Sequence, residues 1–139
     1  GGNWSNGVGP AAGDTVVWDA GSVGNLSSVN NLSNLSLASI NYGNAPAGVV
    51  LSGSALTLTN ASPLSGGASS VTFNLDMALP ATATLGNISG YAVFNGVLSG
   101  AGTTLTVQQT TSASGFYAFN GVNTFSGNVV LGTNNGDGN

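Results

Sequence analysis

Apolar residues alternate with polar ones in short runs along this chain, and no stretch follows a helical spacing. The longest run, 71–79, is apolar at every second position and places Asp76 on the opposite face. Gly or Pro interrupts the runs about every eight to twelve residues, which is typical of an all-β fold. Strands are predicted at 15–18, 49–51, 55–59, 71–79, 83–88, 91–98, 103–108, 116–119 and 128–131. The predicted core is Val16, Leu56, Leu58, Val71, Phe73, Leu75, Leu105, Val107, Val129 and Leu131.

The strongest long-range pattern is a repeat. The tetrapeptide Phe-Asn-Gly-Val at 94–97 returns at 119–122, and a Gly-containing turn and a short β run follow each copy. The two copies are 25 residues apart. A period of this length predicts a solenoid, in which each unit buries its apolar face against its neighbour. Stacked parallel strands would also let identical Asn or Ser side chains form ladders. We expect a single parallel β-helix (β-solenoid) domain over 1–139, and the alternative is a β-sandwich.

The triplet Asn-Leu-Ser occurs at 25–27, 31–33 and 34–36. Asn and Ser compete for backbone hydrogen bonds and favour bends. We therefore expect each Leu to point inward at a corner while the Asn satisfies the turn. In a chain this rich in Asn and Ser, sequons arise by chance, and we favour that interpretation over glycosylation at Asn3, Asn25, Asn31, Asn34 and Asn87.

The two ends differ in composition from the middle. Residues 1–18 contain both tryptophans, Trp4 and Trp18, which we interpret as plugs of an N-terminal cap, because a first coil has no neighbour to cover it. Two ordinary half-buried tryptophans or a sugar-stacking platform are the alternatives. Residues 132–139 are predicted to be a terminal linker. A calcium loop at 134–139 is less favoured, since Asp137 is its only carboxylate.

Composition excludes most chemistry. The chain has no Lys, Arg, His or Cys, and four acids give it a net charge of −4. It therefore cannot neutralise phosphates, and neither nucleic acid nor an anionic membrane is an expected partner. It also lacks the usual ligands of zinc, haem or iron–sulfur clusters, and we expect no cofactor and no metal. No apolar run is long enough to span a bilayer. Without an initiating Met or a signal peptide, the chain is expected to be a mature or excised segment.

The four acids are Asp14, Asp19, Asp76 and Asp137. Two carboxylates can hydrolyse a glycosidic bond. On an extended strand, however, Asp14 and Asp19 would lie about 17 Å apart and on opposite faces. No basic residue stands beside any of the four. We predict that the chain is not an enzyme, that it has no catalytic or cofactor-binding residue, and that the acids are surface or turn groups.

Residues 121–127, Gly-Val-Asn-Thr-Phe-Ser-Gly, follow a G-x-N-T-Y-[ST]-G motif, and 100–107 follow a preceding G-x-G-T-L-T-L motif. Asn3-Trp4 with 13–18 matches an N-W…G-D-x-[AV]-x-[FW] opening. Together these stretches resemble the autotransporter-associated β-strand repeat, also called the passenger-associated transport repeat. The chain departs from it in lacking a Lys before 100–107, in Phe125 for Tyr and in Asn128 for Thr. The resemblance implies a right-handed parallel β-helix in an exported bacterial surface protein, with no catalytic residues.

Two classes of function remain, both extracellular or at the bacterial cell surface. We favour a structural module that self-associates into a fibre, filament or stalk over a module that binds carbohydrate or a host surface, because binders concentrate aromatics and charges. Tyr42, Tyr91 and Tyr117 discriminate between them: outward on one face they favour binding, and buried they favour a scaffold. Open strand edges without Lys to protect them predict head-to-tail stacking that is nearly insensitive to salt.

Overall fold

The computed structural model describes residues 7–22, 26–46, 48–67, 70–86, 90–110 and 115–134, which fold as a parallel β-solenoid. These ranges contain fifteen strands and no helix, and therefore no helix that could cross a membrane. The chain passes through three sheets in rotation, and each strand pairs in parallel with strands one coil away. The all-β solenoid is thus confirmed, and the β-sandwich alternative is wrong.

Six, five and four strands form sheets A, B and C, which makes about five coils. Sheet A contains β1 (Thr15–Val17), β4 (Ser39–Asn41), β7 (Leu64–Ser65), β10 (Thr82–Leu85), β13 (Thr104–Thr110) and β15 (Val129–Asn134). Sheet B contains β2 (Ser27–Asn30), β5 (Val49–Gly53), β8 (Val71–Asn74), β11 (Tyr91–Phe94) and β14 (Phe116–Phe119). Sheet C contains β3 (Leu35–Leu37), β6 (Leu56–Leu58), β9 (Met77–Ala78) and β12 (Leu98–Ser99).

The sequence repeat corresponds to two neighbouring coils. Phe94 pairs with Phe119 in register, and their rings stack with centroids 5.2 Å apart. Phe73 lies one coil earlier, with its ring centroid 5.1 Å from that of Phe94. The three rings form a continuous column inside sheet B, which we call the Phe column. Aromatic stacking along the solenoid axis therefore coincides with the strand register of the last three coils.

The longest alternating run turns a corner instead of forming one strand. β8 ends at Asn74, β9 begins at Met77, and the chain bends at residues 75 and 76. Burial nevertheless alternates through the bend, because the interior lies on the same side of the chain before and after it. The buried members are Val71, Phe73, Leu75, Met77 and Leu79. Alternation thus reports which side of the chain faces the core and does not report strand length.

Seven of the ten predicted core residues are buried: Val16, Leu56, Leu58, Val71, Phe73, Leu75 and Leu105. Val107 is partly buried and packs against them. The prediction was wrong for Val129 and Leu131, which are 53% and 79% exposed. Both point inward from β15, in register with Leu105 and Val107. In the part of the chain described here, no further coil covers them.

The Asn-Leu-Ser triplets behave unequally. Leu26 and Leu35 pack against the core, but Leu32 is exposed, so the inward prediction was wrong for the middle triplet. Asn34 has a φ of 58°, in the left-handed region that Asn tolerates better than most residues. This Asn forms the turn that leads into β3, as expected.

The predicted end segments are described only in part. β1 is an ordinary member of sheet A, and Trp18, directly after it, is buried. β15 continues to Asn134, so residues 132–134 belong to a strand and not to the predicted linker. Trp4 and residues 135–139 lie outside the described residues.

Candidate functional site

Asp14 and Asp19 serve local turns on either side of β1. The Asp14 carboxylate accepts a hydrogen bond from the Ala11 amide at 2.8 Å. The Asp19 carboxylate accepts one from the Gly21 amide at 2.9 Å. Both side chains are exposed and bond to the backbone of their own turn. Both carboxylates therefore stabilise local turns by accepting hydrogen bonds from backbone amides.

Asp76 stands at the corner between β8 and β9, facing outward as the alternation predicts. Its carboxylate accepts a hydrogen bond from the Val97 amide, one coil away, at 2.8 Å. The acid therefore joins two coils at a corner, where the sheet ladder is interrupted. Asp137 lies outside the described residues. Within the described ranges, no three acidic side chains come together as a metal site would require.

The same corner borders an open groove of about 360 Å³ beside sheet C. Apart from Asp76, its lining consists of hydroxyl, amide and apolar side chains, and the hydroxyl groups belong to Ser33, Ser54, Thr57 and Ser99. Asp76 is the only ionisable side chain in that lining. Glycoside hydrolysis by paired carboxylates uses two acids, and the described lining of this groove contributes one, Asp76.

The three tyrosines do not lie on one face. Tyr42 is fully buried, Tyr117 is half-buried, and Tyr91 is half exposed on the outer side of sheet B. Burial raises the pKa of Tyr117 to about 12, and its hydroxyl donates to the Gly86 carbonyl. Burial, with a smaller contribution from Tyr117, raises the pKa of Tyr42 further. Tyr42 and Tyr117 are therefore placed as expected for a scaffold, and Tyr91 is placed as expected for a binding module.

Tyr91 forms an exposed aromatic pair with Phe116. The two residues are in register on β11 and β14, with ring centroids 4.6 Å apart and planes tilted by 35°. Both rings are about half exposed. They are 25 residues apart, which is the spacing of the Phe-Asn-Gly-Val repeat, so the repeat period could have predicted this pair.

Polar ladders also run along the solenoid. The Asn120 amide group donates to the Asn95 side-chain oxygen at 2.8 Å. The Asn95 amide group donates in turn to that of Asn74 at 2.7 Å. A similar contact joins the hydroxyls of Thr15 and Ser39 at 2.9 Å. Laddering of like side chains in successive coils, expected from the sequence, is confirmed at these positions.

Apolar side chains are uncovered at the C-terminal end of the coil stack. Along the inner column of sheet A, every residue from Val16 to Leu85 is buried, Val107 is partly buried and Leu131 is exposed. In the Phe column, exposure rises from 0% at Phe73 to 37% at Phe119. We call the exposed apolar residues of this region the open end: Phe119, Val122, Val129, Val130 and Leu131.

The first coil contrasts with the open end. Its inward residues Val16 and Trp18 are only 6% and 5% exposed. The segment before β1 is joined to β3 of sheet C, because the Gly13 amide donates to the Ser36 carbonyl at 2.8 Å. Both inward residues of the first coil are therefore buried. The sequence predicted a cap at this end together with open strand edges at both ends, but it did not predict that Val129 and Leu131 would be exposed.

Comparisons with protein-family models, curated proteins and solved structures found no match for this chain. The geometry of the solenoid and its surfaces is therefore the evidence that bears on function.

Proposed function

We propose that this chain is an extracellular structural module that self-associates to build a fibre, filament or stalk at a bacterial surface. The observation that carries the proposal is the open end, where core positions of the solenoid are exposed to water. Large exposed apolar patches mark interaction sites in soluble proteins. The extracellular, bacterial location rests on the resemblance to the autotransporter-associated repeat.

The rest of the molecule supports a structural role. The described acids bond to backbone amides, and the groove beside Asp76 lacks an acid–base pair. Stacked rings and an Asn ladder run from coil to coil and stiffen the stack along its axis. A stack joined in this way transmits load along its length, which is what a stalk or fibre requires.

A carbohydrate-binding module is the second candidate, and Tyr91 with Phe116 is the observation that favours it. Two adjacent half-exposed rings offer an apolar platform, and the absence of basic residues would restrict the ligand to neutral sugars. Replacement of both residues by Ala should abolish binding to neutral glycans on an array if this candidate is correct. Retained self-association in the same variant would separate the two functions.

Sedimentation velocity tests the structural proposal. The wild-type chain should form larger species as concentration rises, to nearly the same extent at low and high salt, because the open end has no ionised side chain among the described residues. Leu131→Asn should remain monomeric, since it places an amide on the contact surface. Leu32→Asn is the matched control, because Leu32 is also exposed but lies in the first coil.

A single monomeric wild-type species at every concentration and salt would refute self-association. Equal loss of association in the Leu32 and Leu131 variants would locate the contact elsewhere. Melting curves of both variants should match wild type at dilute concentration, which separates a contact defect from a folding defect.

Replacement of all four acids by Asn tests the prediction that the chain is not an enzyme. The variant should assemble as the wild type does, and neither form should hydrolyse glycans. A hydrolytic activity present in the wild type and lost in the variant would contradict the structural proposal.

A further inference from the structure

We propose that the outer side of sheet B, over β11 and β14, binds a neutral glycan that stacks on Tyr91 and Phe116 and forms hydrogen bonds with the Asn ladder. The inference rests on the second candidate function and deepens it, because it completes the site and specifies the charge and direction of the ligand. Glycan binding on this side and self-association through the open end use different surfaces, so one chain can perform both.

Two neighbouring coils present the same outward arrangement on this side. Along the first of them Tyr91, Val93 and Asn95 face outward, because Ala92 and Phe94 between them are buried. The matching residues of the next coil are Phe116, Ala118 and Asn120. Each coil therefore presents an aromatic ring, a short apolar side chain and an amide in the same order.

The two rings form a platform whose size suits a sugar. Tyr91 and Phe116 are 50% and 51% exposed, and their ring centroids are 4.6 Å apart. Aromatic side chains bury about 150–250 Å² each, so two half-exposed rings offer roughly 200 Å². A standard protein–protein contact buries about 800 Å² on each partner. The apolar area is therefore too small for a protein partner, whereas the CH groups of a sugar ring can pack against it.

The Asn ladder supplies polar groups at the other side of the site. Asn120 donates to Asn95 at 2.8 Å, Asn95 donates to Asn74 at 2.7 Å, and all three residues are exposed. Each ladder bond uses one of the two N–H groups of the donor amide, which leaves the other to bind a sugar hydroxyl. The ladder also fixes the orientation of the amides before a ligand arrives, which lowers the entropic cost of binding.

The distance between rings and amides specifies a chain of sugars. Asn95 follows Tyr91 by four residues of extended chain, so the two side chains are separated by about 13 Å along the strand. This span is longer than one sugar ring. An oligosaccharide that runs along the strands, across the solenoid axis, can therefore contact both.

The preceding coil borders the platform with hydroxyl groups. The Ser70 hydroxyl oxygen accepts a hydrogen bond from the Tyr91 amide at 3.1 Å, a bond that does not use the hydroxyl proton. Thr72 is in register with Val93 and is half-buried. A lipid chain would gain nothing from these hydroxyls, whereas a sugar can exchange hydrogen bonds with them.

The charges near the site select a neutral ligand. The chain has no Lys, Arg or His to balance an acidic sugar. Asp76 lies two residues after Asn74, is exposed, and accepts a hydrogen bond from the Val97 amide. Its negative charge at the amide side of the site would repel the carboxylate or sulfate groups of an anionic glycan.

Stacking of coils leaves this face accessible. The strands of sheet B pair with strands one coil away along the axis. A neighbouring coil therefore lies beside the outward side chains and not above them. The site is available on a single chain and along the side of a filament alike.

Isothermal titration calorimetry at dilute protein concentration tests the proposal. The probes are mannan, laminarin, and cello- and malto-oligosaccharides, with polygalacturonate as the anionic comparison. The wild type should bind at least one neutral probe and not polygalacturonate. Phe116→Ala should weaken binding about tenfold or more through lost apolar area, and Asn95→Ala about two- to tenfold through a lost hydrogen bond. Val29→Ala is the matched control, because Val29 is exposed on β2 of the same sheet but lies in the first coil, and it should bind as the wild type does.

The outcomes separate this inference from the proposals on which it builds. Failure of the wild type to bind any neutral probe would overturn the inference and the second candidate function, and it would leave the structural proposal to its sedimentation test. Binding that Phe116→Ala weakens but Asn95→Ala and Asn120→Ala do not would keep the ring platform and overturn the role of the ladder. Equal affinity for polygalacturonate, or unchanged binding in Phe116→Ala, would place the ligand elsewhere. Phe116→Tyr keeps a ring and should bind as the wild type does, and circular dichroism of each variant separates a lost contact from a lost fold.

Discussion

The two ends of this solenoid have similar inward-facing side chains, but these side chains differ in their exposure to solvent. At the N-terminal end, Val16 and Trp18 face inward and are buried. At the C-terminal end, Val129 and Leu131 also face inward and are more than half exposed. Binary patterning treats all four positions alike, because it reports the side of the strand and not the presence of a neighbouring coil.

In the described residues, the core positions of the last coil are exposed and those of the first coil are buried. In the proposed self-association, a head-to-tail contact would place the exposed core positions of one copy against the first coil of the next. The exposed Tyr91 and Phe116 pair is a second apolar surface, on the outer side of sheet B.

The largest effect is expected in the Phe column. Phe73→Ala empties a fully buried aromatic site and should reduce the free energy of unfolding by about 3–5 kcal/mol. Phe119→Ala, in the same column, should lose roughly half of that or less at dilute concentration, because more of its ring is already in water. Urea unfolding followed by circular dichroism measures both variants.

Protein concentration sharpens this test. If a second copy covers the open end, the loss caused by Phe119→Ala should grow with concentration, because association stabilises only the folded wild type. The loss caused by Phe73→Ala should change little. Equal losses for the two variants at dilute concentration would mean that Phe119 is covered within the monomer.

The next largest effect concerns two glycines in equivalent positions. A Cβ at Gly96 would overlap the Leu75 carbonyl oxygen, and a Cβ at Gly121 would overlap the Gly96 carbonyl oxygen. Gly96→Ala should reduce the free energy of unfolding by about 1–3 kcal/mol, because coils on both sides hold the backbone in place. Gly121→Ala should cost less, since the last coil can shift outward.

Gly86→Ala is the control for these substitutions, because a Cβ there meets no atom within 4 Å. It should leave the urea midpoint nearly unchanged. If Gly121→Ala is as costly as Gly96→Ala, the last coil is held from above, and the open end is not open in solution.

Much of the fold could be predicted from the sequence, for a definite reason. The Phe-Asn-Gly-Val repeat places Phe94 under Phe119 and Asn95 under Asn120, so one period yields the pairing of two coils. Strand lengths were less predictable, because Leu75 stays inward through a corner and disguises the bend. The exposure of Leu131 could not be predicted, because it depends on which parts of the chain lie over β15 and not on the residues beside Leu131 in the sequence.

Alkaline pH should destabilise the fold through two tyrosines, Tyr42 of the second coil and Tyr117 of the last coil. The fold raises the pKa of Tyr117 to about 12, above the usual value near 10. The neutral phenol is therefore favoured in the folded state, so its contribution is full below about pH 10 and is lost as pH rises through 12. The pKa of the fully buried Tyr42 is raised in the same direction. The absence of Lys, Arg, His and Cys leaves tyrosines as the only side chains that titrate in this range.

Replacing Tyr117 or Tyr42 by Phe should change the free energy of unfolding at neutral pH in different ways. Tyr117→Phe loses a hydrogen bond to the Gly86 carbonyl and should cost about 0.5–1.5 kcal/mol. Tyr42→Phe should be neutral or stabilising, because the Tyr42 hydroxyl is buried with no partner among the described residues. Urea unfolding at pH 7 and pH 11 checks both, and each variant should lose less stability between these values than the wild type. A strong loss in Tyr42→Phe at pH 7 would reveal a partner for that hydroxyl.

The smallest effect is expected in the Asn ladder, and it bears directly on how the open end is covered. Asn95→Ala removes two side-chain bonds, to Asn74 and from Asn120, whereas Asn120→Ala removes one. These exposed bonds should contribute near the low end of about 0.5–1.5 kcal/mol each, so Asn95→Ala should cost about twice as much.

Head-to-tail stacking would place a further coil over Asn120 and extend the ladder beyond it. A contact elsewhere on the molecule would give Asn120 no further partner. Urea midpoints at dilute and high concentration therefore distinguish the two arrangements. A ratio near two that is independent of concentration fits a contact elsewhere, and equal costs at high concentration would mean that the ladder continues into a neighbouring copy.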